Sequence, residues 1–396
     1  EKFLSTIQIG ITLIGIVSGA FGGVAIADNV APLFASIPGF APYAKDLAMI
    51  TTVAIITYLS LIIGELVPKS IALSNPERYA TLLSPVMILL TKVSYPFVCL
   101  LSFSTKIVNK LIGLNNGEER PMTQEELKKL ALQLRRDVAD LINFAGTRSG
   151  HVGGEYSIAD IMAALYGRYL RLDPKNLMWE DRDIMILSKG HNSGVQYAAL
   201  AFRNIISRET LLNEMNKSDS ILQEHSCPTI PGIEAPTGAL GMGLSAGAGM
   251  AWAAKKDGKD NRVYVVCGDG ECTEGQIWEA ALFGNGYGLD NLTVIVDFNQ
   301  YVITGNIEDI IHVGSFAEKF KAFGWDVQVI DGHNMEEIVD ALDKTRDLNY
   351  APGKPRAIIA KTIKGYPISF MMDDPITYHS AHFNDEIYKK VMEELA

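Results

Sequence analysis

The strongest constraint on this chain is a break in charge near residue 121, which divides it into two kinds of polypeptide. Residues 1–121 carry 8 Lys/Arg and 7 Asp/Glu, whereas residues 122–396 carry 27 and 39 and hold all 7 histidines. One fold does not solvate both compositions: a sparsely charged apolar segment suits lipid, and an acidic mixed one suits water. At a net charge of −11 the chain lacks the basic face that nucleic acid requires. Cys99, Cys227, Cys267 and Cys272 have no CxxC spacing and make no disulfide framework, so a reducing, cytoplasmic setting is expected for the second part.

Residues 4–27 hold no charge over 24 positions, enough to cross a hydrocarbon core of about 30 Å. Glycines 10, 15, 19, 22 and 23 would let helices approach closely there. The chain opens on Glu1 without a signal-peptide pattern, so this run reads as a membrane span in a truncated N-terminus. Residues 47–64 form a second uncharged run, and Lys92 and Pro96 interrupt a third at 81–103. If the first two cross and the third lies in plane, Lys2, Lys69, Arg78, Lys92, Lys106 and Lys110 share one side, opposite Lys45. The positive-inside rule then puts both ends in the cytoplasm.

FLSTIQIGITLIG (3–15) and GELVPKSIALSNPE (64–77) resemble the transmembrane domain of the CNNM/CorC family of magnesium-transport and hemolysin-related proteins. Beside helix-breaking Pro68, Glu65 would expose carbonyls to a cation; alternatively Glu65 and Lys69, four apart, pair at a helix end. That family's first membrane helix and its cytoplasmic CBS pair have no counterpart here, so anchoring rather than transport is expected. The expected domains are a membrane region at 1–112, a polar junction at 113–124 and an enzyme domain at 125–396. Met122 is compatible with an original start codon, and a natural fusion and an artefactual join both stay open.

Within 122–396, apolar runs at 183–187, 263–267, 292–297, 326–330 and 357–361 read as strands. Segments of helical period at 125–145, 157–170, 243–256 and 275–287 lie between them. The alternation predicts an α/β fold: a parallel sheet with helices on both faces and ligands at the carboxyl ends of its strands.

The strand VYVVC runs into Gly268-Asp269-Gly270-Glu271 ahead of a helix, a turn whose small residues and helix N-terminus suit a phosphate. An acidic residue belongs in an anion site only with a cation between them, so Asp269 is a candidate ligand for Mg²⁺ or Ca²⁺. Thirty residues on, LTVIVDFNQ ends near Asn299, whose amide oxygen offers a second ligand and the Tyr301 carbonyl a third. GDG alone is most often just a turn. GDG with an Asn about thirty residues later, each closing an apolar strand, resembles the thiamine-diphosphate fingerprint.

SGHVGG (149–154), ILSKGHNSG (186–194), PGIEAPTGALGMGLS (231–245), GDGECTEGQIWEA (268–280) and IIAKTIKG (358–365) resemble successive blocks of the transketolase family. The resemblance covers 122–396 and implies the diphosphate-binding N-terminal subunit of a split transketolase. It implies that His151, His191, His225 and His379 act at the active site, His191 beside the diphosphate and His225 on the donor hydroxyls. It further implies that Gly238 and Leu240 flank the cofactor, and that Glu274 lies at the dimer interface near it. Such an enzyme moves a two-carbon ketol unit from a ketose to an aldose, histidines shuttling protons while the cofactor takes up electrons. Val152, Ser226-Cys227 and Met242 depart from the family pattern, the middle pair on the donor side, so the donor sugar stays open. His312, His333 and His382 read as ordinary surface or core residues. The glutamate that activates the aminopyrimidine belongs to a further domain in this family, so a separate C-terminal subunit in a two-plus-two assembly is expected. Another thiamine-diphosphate enzyme, such as a deoxyxylulose-phosphate synthase or a 2-oxoacid dehydrogenase component, is the enzymatic alternative; a cation-transporting membrane protein is the other.

Overall fold

A computed structural model describes residues 23–62, 104, 120–144, 148–347 and 349–396. The chain divides into two compact units, Glu1–Glu119 and Arg120–Ala396.

In the first unit, α1 (Gly23–Ala35) and α2 (Ala44–Leu61) pack against each other. A turn in which Gly39 adopts φ +90° joins them. Small side chains are buried here (Ala27, Ala44, Ala48 and Thr52), while Leu33, Ile50 and Tyr58 are about two-thirds exposed, at 68%, 67% and 65%. Among the described residues no helix is long and apolar enough to cross a membrane. The membrane-spanning segment expected from the sequence is therefore without support among the described residues. Within the described residues, α2 takes Lys45 and Asp46 into its first turn, and Pro32 lies inside α1. Most of the run at 4–27, all of that at 81–103, and Glu65 and Lys69 lie outside the described residues.

The second unit opens with α3 (Gln124–Phe144). Leu127, Leu130, Ala131, Leu134, Val138, Leu141 and Ile142 recur at three- and four-residue spacing, and all are buried. A capping box starts it: the Thr123 amide donates to Glu126 at 2.8 Å, and the Glu126 amide donates to the Thr123 hydroxyl at 3.3 Å. Replacing that threonine by alanine costs about 1 kcal/mol. Next come α4 (Val152–Ser157), α5 (Ala159–Ala164) and α6 (Ser193–Phe202). The single helix expected at 157–170 is thus interrupted: Ile158 separates α4 from α5, and a π-helical turn at Leu165–Tyr169 ends the segment.

Five strands form one parallel sheet: β1 (Ile184–Leu187), β2 (Val263–Gly268), β3 (Leu292–Phe298), β4 (Asp326–Asp331) and β5 (Arg356–Lys361). Their spatial order is β1-β2-β3-β5-β4, every pair parallel. Burial alternates between the faces. Tyr264, Val266, Ile295 and Ile358 pack with α3, α5, α6 and α10 (Met335–Arg346). Val263, Val265, Cys267, Val294 and Ile359 pack with α7 (Met242–Lys256), α8 (Gly275–Gly286) and α9 (Phe316–Ala322). Fully burying one such valine contributes about 1.5–3 kcal/mol. The sheet is covered on both faces, the α/β architecture expected from the alternation of runs. A two-stranded antiparallel pair, Ser149–Gly150 with Ala381–His382, and α11 (Asp385–Glu394) complete the unit.

Candidate active site

The carboxyl ends of β1, β2, β3 and β5 carry Ser188–His191, Asp269, Asn299 and Thr362–Lys364. Asp269 joins two of these ends. Its carboxylate accepts from the Gly270 amide at 2.7 Å and from the Gln300 amide at 2.5 Å, so the loops after β2 and β3 are tied through one side chain. Burial and the nearby Asp297 push its carboxyl up to about 7, against the pull of those two amides. A buried carboxyl with that history regains its charge when a cation arrives. Gly270 is held to glycine by packing, since a Cβ there would stand 2.6 Å from a Val302 methyl.

Asn299 is buried, and its orientation is set from both ends of the amide. Its Nδ2 donates to Asp297 at 2.9 Å, and its Oδ1 accepts from the Tyr301 amide at 3.1 Å. The Tyr301 carbonyl accepts from the Lys364 ammonium at 3.0 Å. Among the described residues no group of three or more His, Cys, Asp or Glu is placed to hold a metal. The oxygens on offer there are one carboxylate, one amide oxygen and one carbonyl, donors of the kind that hard cations take.

Beneath this loop lies a polar network that the sequence motifs did not single out. Asp297 is fully buried and accepts from Lys189 at 2.5 Å, Ser157 at 2.7 Å, Asn299 and Thr362. Burial alone would raise its carboxyl, yet Lys189 and the hydroxyls hold it below the usual range. Glu271, also buried, accepts from Ser188, from the Gly241 amide at 2.8 Å and from the Gly268 amide at 3.0 Å. It thereby binds the SKGH, TGALG and GDG blocks into one frame. Lys189, Asp297 and Lys364 do sit inside or beside the motif blocks, but a charged residue at a strand end gives no sign of its distant partner.

Four histidines converge beside this frame. The His151 ring lies 4.9 Å from His191, 5.4 Å from His379 and 6.5 Å from His225, and His191 stacks on His379 at 5.8 Å. Burial, then Lys189 and the other rings, push His191 down to about 2; burial and Lys364 push His379 down to about 3. Both are neutral bases at any physiological pH. Lys364 bridges the two halves of the site, reaching His379 Nδ1 at 2.7 Å as well as the Tyr301 carbonyl. Burial and Lys189 lower its ammonium to about 8. Glycine is required at Gly153, where a Cβ would stand 2.6 Å from the Tyr378 carbonyl and force the His379 segment away.

The remaining sequence-predicted residues are placed less centrally. Gly238 lies beside the His225 ring, whose atoms a Cβ would meet at 3.7 Å. His225 is exposed, as is Leu240, and Glu274 stands exposed at the N-cap position of α8 without a side-chain cap bond. His312 pairs with Glu308 on the surface. His333 is satisfied on both sides, its Nδ1 2.9 Å from Asp160 and its Nε2 accepting from the Ile363 amide at 2.9 Å.

Residues 127–395 match the family model described as transketolase, thiamine diphosphate binding domain. Residues 1–140 match that of the cyclin M transmembrane N-terminal domain. The chain is 40% identical over 273 residues to a 6-deoxy-6-sulfo-D-fructose transketolase subunit of Clostridium sp. strain MSTE9, covering 69% of this chain and 97% of that protein. It is 39% identical over 275 residues to an apulose-4-phosphate transketolase subunit of Actinobacillus succinogenes, covering 69% and 97%. The crystal structure of transketolase from Campylobacter jejuni superposes with a TM-score of 0.63 at 32% identity, over 69% of this chain and 43% of that one. The chain thus spans less than half the length of that solved transketolase. A family model covering most of the chain, together with relatives of this identity, decides the assignment: the chain belongs to the transketolase family through its thiamine-diphosphate-binding domain.

Proposed function

We propose that Arg120–Ala396 holds the diphosphate end of thiamine diphosphate through a divalent cation and, with a C-terminal subunit, transfers a two-carbon ketol unit from a ketose to an aldose. The observation that carries this reading is Asp269. It is a buried carboxyl with no counter-cation at hydrogen-bond distance among the described residues, fixed between the loops after β2 and β3 and next to a preset Asn299. Asp269, Asn299 and the Tyr301 carbonyl would hold Mg²⁺, or Ca²⁺, with Gly268 and Gly270 admitting the diphosphate. Lys364 and Lys189 supply positive charge beside it. When bound, thiamine diphosphate supplies the carbon nucleophile and electron sink for cleaving the ketose.

The chain's own residues do the proton work. His191 and His379, neutral by burial, offer a lone pair and an N–H to hydrogen-bond substrate or cofactor groups, and His151 and His225 serve the hydroxyls of the donor. Gly238 and Leu240 would flank the cofactor, with Glu274 at the contact to the neighbouring protomer. Leu282 and Phe283 on α8 and Tyr287 just past its end, at 63%, 36% and 55% exposure, support a partner on that face. Relatives named as transketolase subunits, matched over nearly their whole length, support a separate second subunit. The substrate in this reading is a phosphorylated or sulfonated sugar of the kind those relatives' names print.

For the first unit, the exposed Leu33, Ile50 and Tyr58 around a small-residue helix contact support membrane association, as does the cyclin M match. The test of the enzymatic reading is ketol transfer with thiamine diphosphate and Mg²⁺. Transfer is expected when the chain is mixed with a C-terminal subunit but not when it is assayed by itself. Turnover by the chain alone would overturn the split assembly, and none in any mixture would overturn the activity.

A further inference from the structure

Glu224 precedes His225 in the chain, yet its side chain turns to a different histidine. Its carboxylate stands 3.0 Å from His151 Nδ1. That nitrogen is buried and has no aligned hydrogen-bond partner among the described residues, so the carboxylate is the charged group it faces. The separation is set by one rigid element. At the start of α6, Asn192 Nδ2 donates to the His151 carbonyl at 3.0 Å and Ser193 Oγ to the Glu224 carbonyl at 2.8 Å. Tyr197, one turn on, donates to the Gln223 carbonyl at 2.7 Å. Both partners are therefore hung from the same helix.

We propose that Glu224 is a positioning residue for His151: it holds the imidazole proton on Nδ1 and leaves Nε2 as the ring's proton acceptor. A neutral imidazole has one N–H and one lone pair, and a carboxylate can only accept, so the nitrogen facing it carries the proton. The other groups around the ring do not compete for that role. His191, His225 and His379 are ring neighbours, and Lys364 is a donor that opposes a charged His151, as does His225. Glu155, another buried carboxyl, accepts from the Gly194 amide at 3.0 Å through one of its oxygens. What the freed lone pair acts on, a donor-sugar hydroxyl, rests on the transketolase reading; the tautomer does not.

The experiment is long-range ¹H–¹⁵N correlation of histidine rings in the full chain at pH 7.5, wild type against Glu224→Ala, Glu224→Gln and His151→Asn, the last to assign the signal. The wild-type ring should show a protonated Nδ1 and a bare Nε2. Glu224→Ala should move it to a mixture or to the opposite tautomer, and Glu224→Gln, which still offers an oxygen, should keep at least part of the Nδ1–H form. A wild-type ring protonated on Nε2, or one unchanged in Glu224→Ala, overturns the proposal. The Glu224 side chain is 35% exposed, so its loss leaves the fold intact, and an unchanged amide spectrum elsewhere checks this. In the assembly with a C-terminal subunit, Glu224→Ala should lower kcat about tenfold with cofactor affinity unchanged. An assembly whose wild type is inactive would count against the transketolase reading, while the ring spectra still decide the tautomer.

Discussion

Replacing Asp297 by alanine removes one partner of a buried ion pair, and the structure sets the size of the loss. Lys189 is 3% exposed and Asp297 fully buried, with 2.5 Å between ammonium and carboxylate. Stranding a buried charge costs about 3–5 kcal/mol. Ser157, Thr362 and Asn299 each lose an acceptor as well. A domain of this size shifts its midpoint by about 2–4 °C per kcal/mol, so Asp297→Ala should melt roughly 10 °C or more below wild type. Lys189→Met alone should also destabilise, and the double variant should lose clearly less than the two single losses combined, because neither charge is then stranded. Thermal unfolding followed by circular dichroism measures all four proteins. A shift under about 2 °C in Asp297→Ala, or strictly additive losses, would refute the reasoning.

Further outcomes follow from the same packing and charges. Glu155 is fully buried, and burial pushes its carboxyl up to about 8, so the folded state retains a proton that the unfolded chain releases near pH 4. Its contribution to stability is therefore present below pH 4 and is lost as pH rises through 8; Glu155→Gln should gain on wild type between pH 5 and 9. A flat difference between the two melting curves would contradict this. Gly153→Ala should lose about 1–3 kcal/mol, because its methyl meets the Tyr378 backbone carbonyl rather than a movable side chain, and denaturant unfolding reads the loss. Lys364→Met should weaken cofactor binding about tenfold or more in calorimetric titration while leaving the secondary structure unchanged.

What was legible in the sequence is what is local. Four of the five strands are short apolar runs buried on both faces and closed by a small or polar residue; β4, at the sheet edge, carries Gln328 and leaves Val329 exposed. The GDG turn and Asn299 are legible for the same reason: each closes its own strand, and the parallel pairing of β2 with β3 sets the two ends side by side. The pairs that make this a site were not legible. Lys189 and Asp297 lie 108 residues apart, and nothing around either names the other. Glu224 was overshadowed by its neighbour His225, because the sequence does not show that its carboxylate turns to His151. The break at Ile158 and the π turn after it reflect tertiary packing overriding a helical period. In the first unit, apolar length alone reads as spans, whereas the described part of α2 carries Lys45 and Asp46 in its first turn.

A cation between Asp269 and the cofactor diphosphate is tested most directly by equilibrium titration of thiamine diphosphate into the chain with a C-terminal subunit. Binding should require Mg²⁺ or Ca²⁺, should vanish with chelator, and should weaken about a hundredfold or more in Asp269→Asn, which keeps the shape and removes the charge. Equal affinity in chelator and in Mg²⁺, or wild-type affinity in Asp269→Asn, would contradict it.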